Sequence, residues 1–323
     1  MEKNDLSEPV FDFGIPHKTC SFSIIGIGGG AGRIVEKIQK NELPHVDLCV
    51  FGMNGEEIGE LSLAHKYLIG TDGLGSGKDR RLAEAECKKS LPCLEQILAD
   101  KLVSVFIVCL GGGTGEGCIK HFLQKAADLK VKVKLLIATL PHSSEGMEKR
   151  KNAIKVLGEL EKTADGIFVV DYDALPCHTF SELFEEADKR VANIANSFFS
   201  LLKGGLTCFD FNDVRSFLGY HSCTKFIDLF TLSGSVDYLK TELKDIQKFL
   251  PAKYVSLEDV SNLIFAIYCT RETFYDSLFK EFMGVFDDCI MMKLESTQIK
   301  WTIIESQTMP TGILRIDIFT KCN

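Results

Sequence analysis

The sequence predicts an α/β protein: a doubly wound parallel sheet, then a long helix, then a smaller α/β unit. Three observations carry this reading. Apolar runs of strand length alternate with helix-compatible stretches through the first half of the chain. Three glycine clusters each follow such a run, at the strand ends where open α/β sheets bind ligands. One mid-chain stretch, Phe180 to Lys203, repeats apolar residues at helical spacing and stops at Gly204-Gly205.

Taken in order, the first strand is Ser21 to Ile25, running into Gly26-Ile27-Gly28-Gly29-Gly30-Ala31-Gly32 and a helix from about Arg33 to Lys40. Gly26-x-Gly28-x-x-Ala31 also satisfies the dinucleotide pattern, a weak signal by itself. A second strand, Asp47 to Met53, ends at Asn54, and Gly73-Leu74-Gly75-Ser76-Gly77-Lys78 forms another glycine cluster. A polar helix from Arg80 to Ala99 leads to the apolar run Val103 to Leu110. The glycine run Gly111 to Gly117 follows, then a helix from Cys118 to Leu129. The strand Val133 to Thr139 ends at Pro141, before a helix from Glu145 to Glu161 and a strand from Gly166 to Val170. The long helix lines up Phe184, Ala187, Val191, Ile194, Ala195, Phe198, Leu201 and Leu202, a spine between two units. After Asp210-Phe211-Asn212-Asp213 come a helix, a strand around Ile264 to Tyr268, a helix from Thr273 to Phe286, and strands Ile299 to Glu305 and Gly312 to Phe319. The last alternates apolar and polar residues, so one of its faces is expected to be wet.

The densest signal is Gly111-Gly112-Gly113-Thr114-Gly115-Glu116-Gly117, five glycines in seven residues between a buried strand and a helix. Without Cβ atoms the backbone can approach a ligand, and the N–H groups of a loop entering a helix point outward together. Such a nest binds anions, most often phosphates. The plainer reading is a tight strand-to-helix turn. No lysine follows at the P-loop position.

Composition narrows the function. With 45% apolar and 25% charged residues the chain is an ordinary globular one. A net charge of −8 with scattered basic residues argues against nucleic acid or an anionic membrane surface as the main partner. No apolar run approaches the roughly 18 residues of a membrane span, so no direct membrane insertion is expected. Met1 to Lys18 is polar and acidic, unlike a signal peptide, and reads as a loose arm. The 12 cysteines include no Cys-x-x-Cys, and several, among them Cys49, Cys109, Cys269 and Cys289, sit in or beside apolar stretches. Reduced, buried thiols and a cytoplasmic location follow, with no zinc site and no metal held by protein ligands.

These residues resemble the FtsZ family, the bacterial and archaeal relatives of tubulin. The carriers are Ile25 to Gly32, Gly73 to Gly77, Gly111 to Gly117, Pro141 to Gly146, and Gly205-Leu206 to Arg215, in family order over roughly residues 20 to 321. The resemblance implies a flexible arm (1–20), a GTP-binding domain (21–178), a connecting helix (179–203) and a C-terminal activation and polymerisation domain (204–323). It implies GTP and GDP as ligands, with magnesium bound through the nucleotide, and assembly into longitudinal homopolymers. Other filament-forming or division proteins are further implied partners. Carried over by position, the phosphates would meet Gly28, Gly29, Gly30, Gly32, Arg33, Gly75, Ser76, Gly77, Lys78 and Gly111 to Gly117, with Thr114 adding its hydroxyl. Glu145 would hold the ribose and Lys149 stands nearby. Phe184 would stack on guanine while Asp188 pairs with its N1 and N2 edge. Asp210 and Asp213 match the carboxylates of a catalytic loop that reaches the next subunit's GTP. Each has a plainer reading. Glu145 is also a first-turn acid complementing a helix dipole. Phe184 and Asp188 are also an i, i+4 pair, one in the core and one in solvent. Asp210-x-x-Asp213 is also an N-cap with a first-turn acid.

The pattern departs from the family at several positions. Glu116 replaces Thr or Ser. A carboxylate about 5 Å from a phosphate charge costs roughly 3 kcal/mol at an effective dielectric near 20, about a hundredfold in affinity. Lys78, where the family is neutral, or Arg33, in place of Asn, would offset it. Cys208 and Tyr172 each replace Asn, and Lys149 replaces Arg, with Arg150 adjacent. No counterpart of the family's linker and anchor peptide precedes Asn323, so its membrane tethers are not expected partners. Two readings stand: a polymerising GTPase with compensated substitutions, and a filament or regulatory relative that binds nucleotide weakly and hydrolyses it slowly or not at all. A nicotinamide-dependent oxidoreductase built on Gly26-x-Gly28 leaves Gly111 to Gly117 and Asp210 to Asp213 unexplained.

Overall fold

The computed structural model describes residues 21–38, 46–202, 205–207, 209–219, 224–245, 260–291 and 298–322. The expected N-terminal arm, Gly204 and Cys208 lie outside the described residues.

Strand β1 (Phe22–Ile27) is buried at every position and pairs in parallel with β2 (Val46–Gly52) and β4 (Val103–Cys109). Such an unbroken apolar run is what a strand covered on both faces requires. Parallel pairing continues through β5 (Val133–Leu140) and β6 (Gly166–Asp171) on one side. On the other, β3 (His65–Leu68) forms the outer edge beside β2. The helices divide between the two faces. Apolar residues of α1 (Gly29–Lys37), α6 (Phe180–Leu202) and α7 (Phe211–Gly219) share one core. Those of α3 (Arg80–Leu98), α4 (Gly113–Asp128) and α5 (Met147–Leu160) share another. This is the doubly wound arrangement that the alternating pattern predicts. The short helix α2 (Gly55–Gly59) follows β2, and together with β3 it has no counterpart in the sequence-based order.

Helices α1 and α4 begin earlier than the sequence predicts, at Gly29 and Gly113 rather than near Arg33 and Cys118. Their first turns are built from the glycines themselves. Glycine is a poor helix former, but here close approach overrides propensity. A Cβ on Gly115 would lie 2.6 Å from Val108, and one on Gly117 would lie 2.6 Å from the Arg80 carbonyl oxygen. The two glycines thus set α4 down against β4 and α3.

The second half does not form a separate sheet. Strand β7 (Phe226–Ser235) joins β6 through Ile167–Phe226 and Phe168–Ile227, giving one ten-stranded sheet in the order β3-β2-β1-β4-β5-β6-β7-β10-β8-β9. Strand β10 (Ile313–Cys322) runs antiparallel to both β7 and β8 (Val260–Cys269), and β9 (Gln298–Glu305) closes the edge parallel to β8. Helices α8 (Val236–Leu243) and α10 (Ser277–Phe286), the latter preceded by the short α9 (Arg271–Phe274), cover one face with a core of their own. Strand β7 and helix α8 are absent from the sequence-based order.

The expectation of a wet face on the last strand is overturned. Strand β10 is central: Asp317, Thr320 and Lys321 are buried, and the charged Asp317 is met by partners inside. Asp317 is fully buried. It accepts from Arg315 at 3.0 and 2.8 Å and from the Thr231 hydroxyl at 2.8 Å. Arg315 also donates to Ser197 of α6 at 2.7 Å and lies over the Tyr268 ring, 5.0 Å from its centroid. The long helix is thereby tied to the second half by a partly buried charge cluster, Asp317 inside and Arg315 about a third exposed. Removing one partner of a buried pair leaves the other uncompensated. Asp317→Ala should lower the unfolding free energy by about 2–4 kcal/mol, read as an earlier urea midpoint at unchanged slope. A change under about 0.5 kcal/mol, the range of ordinary surface substitutions, would show that the cluster does not hold the helix.

Candidate functional site

A cavity of about 540 Å³ opens where β1, β4, β5 and β6 end, lined there by Ile27, Cys109, Thr139 and Tyr172. Gly28, Gly29 and Gly30 bound one side, and Gly111, Gly112, Gly113, Thr114 and Gly115 another. Gly28 and Gly112 are the N-cap residues of α1 and α4, and neither helix has a side-chain cap. The first N–H groups of a helix need partners from outside it. Two helices here leave that need to whatever fills the cavity. Asn54, Asp79 and Asp276 cap α2, α3 and α10 with their side chains, while α5, entered through Gly146, also has no side-chain cap.

The loop between β3 and α3 closes the far side. Ser76 accepts from the Thr114 hydroxyl at 3.3 Å, and a Cβ on Gly113 would stand 2.4 Å from the Ser76 oxygen. Lys78 lines the cavity with left-handed backbone, φ 65°, a conformation a lysine adopts only under constraint. Gly75 and Gly77, with positive φ, shape the turn without lining it.

Across the cavity stand Arg33, Pro141, Glu145, Lys149, Tyr172, Phe184 and Asp188. Glu145 ends a 3-10 turn, accepts from the His142 N–H at 3.1 Å and pairs with Lys149 at 2.5 Å. Arg33 pairs with Glu57 at 3.0 Å. Arg150, by contrast, turns away from the cavity to grip Asp171 through two bonds, 2.8 and 2.6 Å, and the Pro141 carbonyl at 2.7 Å. It braces the loop while Lys149 faces the cavity. Burial pushes the Cys109 thiol up to about 11 and the Tyr172 hydroxyl well above its usual range, so both walls stay neutral.

The plain reading of Phe184 and Asp188 is reversed. Phe184 is 45% exposed, while the Asp188 side chain is only 15% exposed. The phenyl ring presents itself to the cavity, its edge-on neighbour Tyr172 at 5.9 Å, and the carboxylate sits below it. Asp188 pairs with Lys37 of α1 at 2.6 Å. Sequence reasoning missed Lys37 because 151 residues separate the pair. Cys109, Thr139, Pro141 and Tyr172 had a usable signal, since all follow from reading the residues at successive strand ends.

Residues 21–179 match the model of the tubulin/FtsZ family GTPase domain. FtsZ from Aquifex aeolicus is 26% identical over 208 residues, 62% of this chain and 56% of the relative. FtsZ 1 from Pyrococcus woesei is 32% identical over 208 residues, 60% of this chain and 55% of the relative. The chain is a divergent member of the FtsZ/tubulin superfamily. Its matches span about half the length of these curated relatives. The fold agrees. An FtsZ dimer structure from M. jannaschii superposes with a TM-score of 0.77 at 17% identity, over 95% of this chain and 89% of that one. A GTPγS-bound CetZ2 protofilament from Haloferax volcanii gives 0.74 at 18%, over 93% and 92%.

Three glycine-cluster residues carried over from FtsZ sit behind the site rather than in it. Gly32 packs against Leu61 and Val50, and Gly117 against α3, while Glu116 does not line the cavity. The Glu116 carboxylate is buried and accepts from the Gly111 N–H at 2.7 Å. It therefore acts as an internal brace of the glycine loop, and one N–H of that loop is already satisfied by it. The expected repulsion of a bound phosphate depends on the distance of this carboxylate from the phosphate charge, and its bond to Gly111 holds it one residue behind the cavity wall. Asp210 and Asp213 do not line the cavity of their own chain. They cap α7 reciprocally: Asp210 accepts from the N–H groups of Asn212 and Asp213 at 2.7 and 3.1 Å, and Asp213 accepts from that of Asp210 at 2.9 Å. The capping reading of this FtsZ-like loop is thus observed.

Glu116→Gln keeps an acceptor for Gly111 while removing the charge. Its affinity for GTP should stay within about threefold of the unaltered protein, measured by calorimetric titration. A gain near the hundredfold of a facing carboxylate would show that the charge reaches the phosphates.

Proposed function

We propose that this chain binds GTP, hydrolyses it and assembles into a filament of its own copies, acting in the cytoplasm in cell division or a related cytoskeletal role. The carrying observation is the single cavity where two uncapped helix N-termini meet an exposed phenyl ring and a sheltered carboxylate. Uncapped N-termini favour phosphates. The Thr114 hydroxyl and the cations Lys78, Arg33 and Lys149 add to that preference. At the other end Phe184 offers a stacking face. Asp188 accepts from the N1 and N2 donors of guanine, where adenine presents an acceptor at N1. Glu145, also in the cavity wall, holds the ribose in this reading. Magnesium accompanies the phosphates in this reading, and no described group of three His, Cys, Asp or Glu side chains could hold a metal by itself.

Hydrolysis in this reading waits for a neighbour. Asp210 and Asp213 of the next subunit would meet the terminal phosphate, position the attacking water and manage its proton, the main protein task in phosphoryl transfer. Residues 21–178 then form the nucleotide domain, 179–203 the connecting helix and 204–323 the activating domain. Division relatives and other filament proteins are the partners this reading allows.

A second reading, a weakly binding and non-hydrolysing filament or regulatory relative, draws on one observation. Asp188, Glu145 and Arg33 each already hold an ion-pair partner from their own chain.

Phosphate release from GTP with magnesium, followed with light scattering across protein concentrations, separates the two. The rate per molecule should rise where scattering begins. A flat rate across that threshold sinks the shared site, and scattering without release favours the second reading. Asp210→Ala should abolish turnover and leave GTP binding unchanged; lost binding contradicts the assignment. Asp188→Ala should weaken GTP about tenfold or more, the cost of one charge-assisted hydrogen bond, without weakening ATP. Equal affinity of the unaltered protein for both nucleotides removes the base contact from Asp188.

A further inference from the structure

We propose that Lys300 is a positioning residue for the carboxylates at the start of α7, with β9 as the scaffold that holds their loop. This rests on the GTPase reading above. Strand β9 is the last in the sheet order and pairs on one side with β8. At Ile303 its outer edge meets the chain entering α7. Leu206 N–H donates to the Ile303 carbonyl at 2.7 Å, and Ile303 N–H donates to the Thr207 hydroxyl at 3.3 Å. The Thr207 hydroxyl in turn donates to Thr302 at 3.2 Å. Gly205 approaches so closely that a Cβ there would stand 2.2 Å from the Ile303 carbonyl oxygen.

Lys300 adds a charged tie to this lacing. Its ammonium lies 2.7 Å from Asp213 Oδ1. The other carboxylate oxygen of Asp213 already accepts from the Asp210 N–H. Both oxygens of Asp213 are thereby committed within the chain. Asp210 is different: its Oδ1 caps the helix, and among the described residues its Oδ2 has no hydrogen bond. The two carboxylates divide the work. Asp213 is the anchored member, fixed by a strand, and Asp210 is the member with an oxygen to offer a neighbour. The groups acting on Asp213 are the Lys300 ammonium from β9 and the Asp210 N–H from its own loop. Burial pushes its carboxyl up, and these two more than offset that, holding it below the usual carboxylate range. The pair is about three-quarters buried on each side, so solvent screens it only in part.

A loop that must enter a neighbour's site has to arrive with its geometry set, because a small misplacement of a reacting group is costly. The test uses the full chain with Lys300→Met, Lys300→Arg, Asp213→Asn and the Met–Asn double variant. Amide hydrogen exchange at Asn212 and Asp213 should quicken about five- to tenfold in Lys300→Met, the scale of a weakened cap, and recover in Lys300→Arg. GTP turnover above the assembly threshold should fall roughly ten- to a hundredfold in Lys300→Met, with KM and the scattering threshold unchanged. In the Asp213→Asn background, Lys300→Met should add little. Unchanged exchange in Lys300→Met overturns the clamp. So does a turnover loss that Lys300→Arg does not recover, or one that persists in full over Asp213→Asn. If the unaltered protein releases no phosphate, the GTPase reading fails, and the exchange measurement still decides the clamp.

Discussion

The site depends on how closely two helices approach the strands that precede them. Helices α1 and α4 start at the ends of β1 and β4, where Gly30 lies against Cys109 and Gly115 against Val108. Any side chain at Gly115 would push α4 off the sheet. Seated this deeply, both helices point their first N–H groups into one space, and neither has a cap of its own. An unmet backbone donor is costly when buried, so the cavity is defined as much by that demand as by its walls. The Ser76–Thr114 contact, the constrained Lys78 and the Arg150 brace on Pro141 keep those walls in place.

The second half of the chain is organised by a different constraint, the continuity of the sheet. Because β7 extends β6, the strands that follow are locked to the nucleotide-side sheet through the backbone. Helix α6 then lies across the junction. It contributes Phe184 and Asp188 to the cavity at one end and Ser197 to the Arg315–Asp317 cluster near the other. One rigid helix therefore touches both the site and the half that carries the 205–213 loop. This loop in turn meets the outer edge of β9 at Ile303.

Much of this was legible in the residue order. The parallel core, the long helix and the glycine clusters follow from apolar runs and punctuation. So does the grouping of Gly28 to Gly30 and Gly111 to Gly115 at the same strand ends, whereas Glu145 and Phe184 were pointed to only by the resemblance to FtsZ. The wet face assigned to the last strand failed because alternation reports only that polar residues recur, not whether partners meet them inside. Asp317 is polar in sequence and fully buried in the fold because Arg315 and Thr231 satisfy it. Strand β7 has mixed burial along its length, with no clear apolar face to read. The position of Glu116 in the glycine run gives no sign of its bond to the Gly111 N–H, which only the folded loop brings to it.

By itself the sequence determined where backbone must come close and where helices must begin and end. Those are local properties, set by glycine's missing side chain, proline's missing donor and the period of the apolar residues. Pairings between distant charges were left to the tertiary structure. Lys37 meets Asp188, Lys300 meets Asp213 and Arg315 meets Ser197 across 151, 87 and 118 residues respectively. No local pattern encodes such contacts, because each exists only after the sheet has closed and two helices have been laid on it. They decide which carboxylates are anchored, which remain free to act and which face of the long helix meets the cavity.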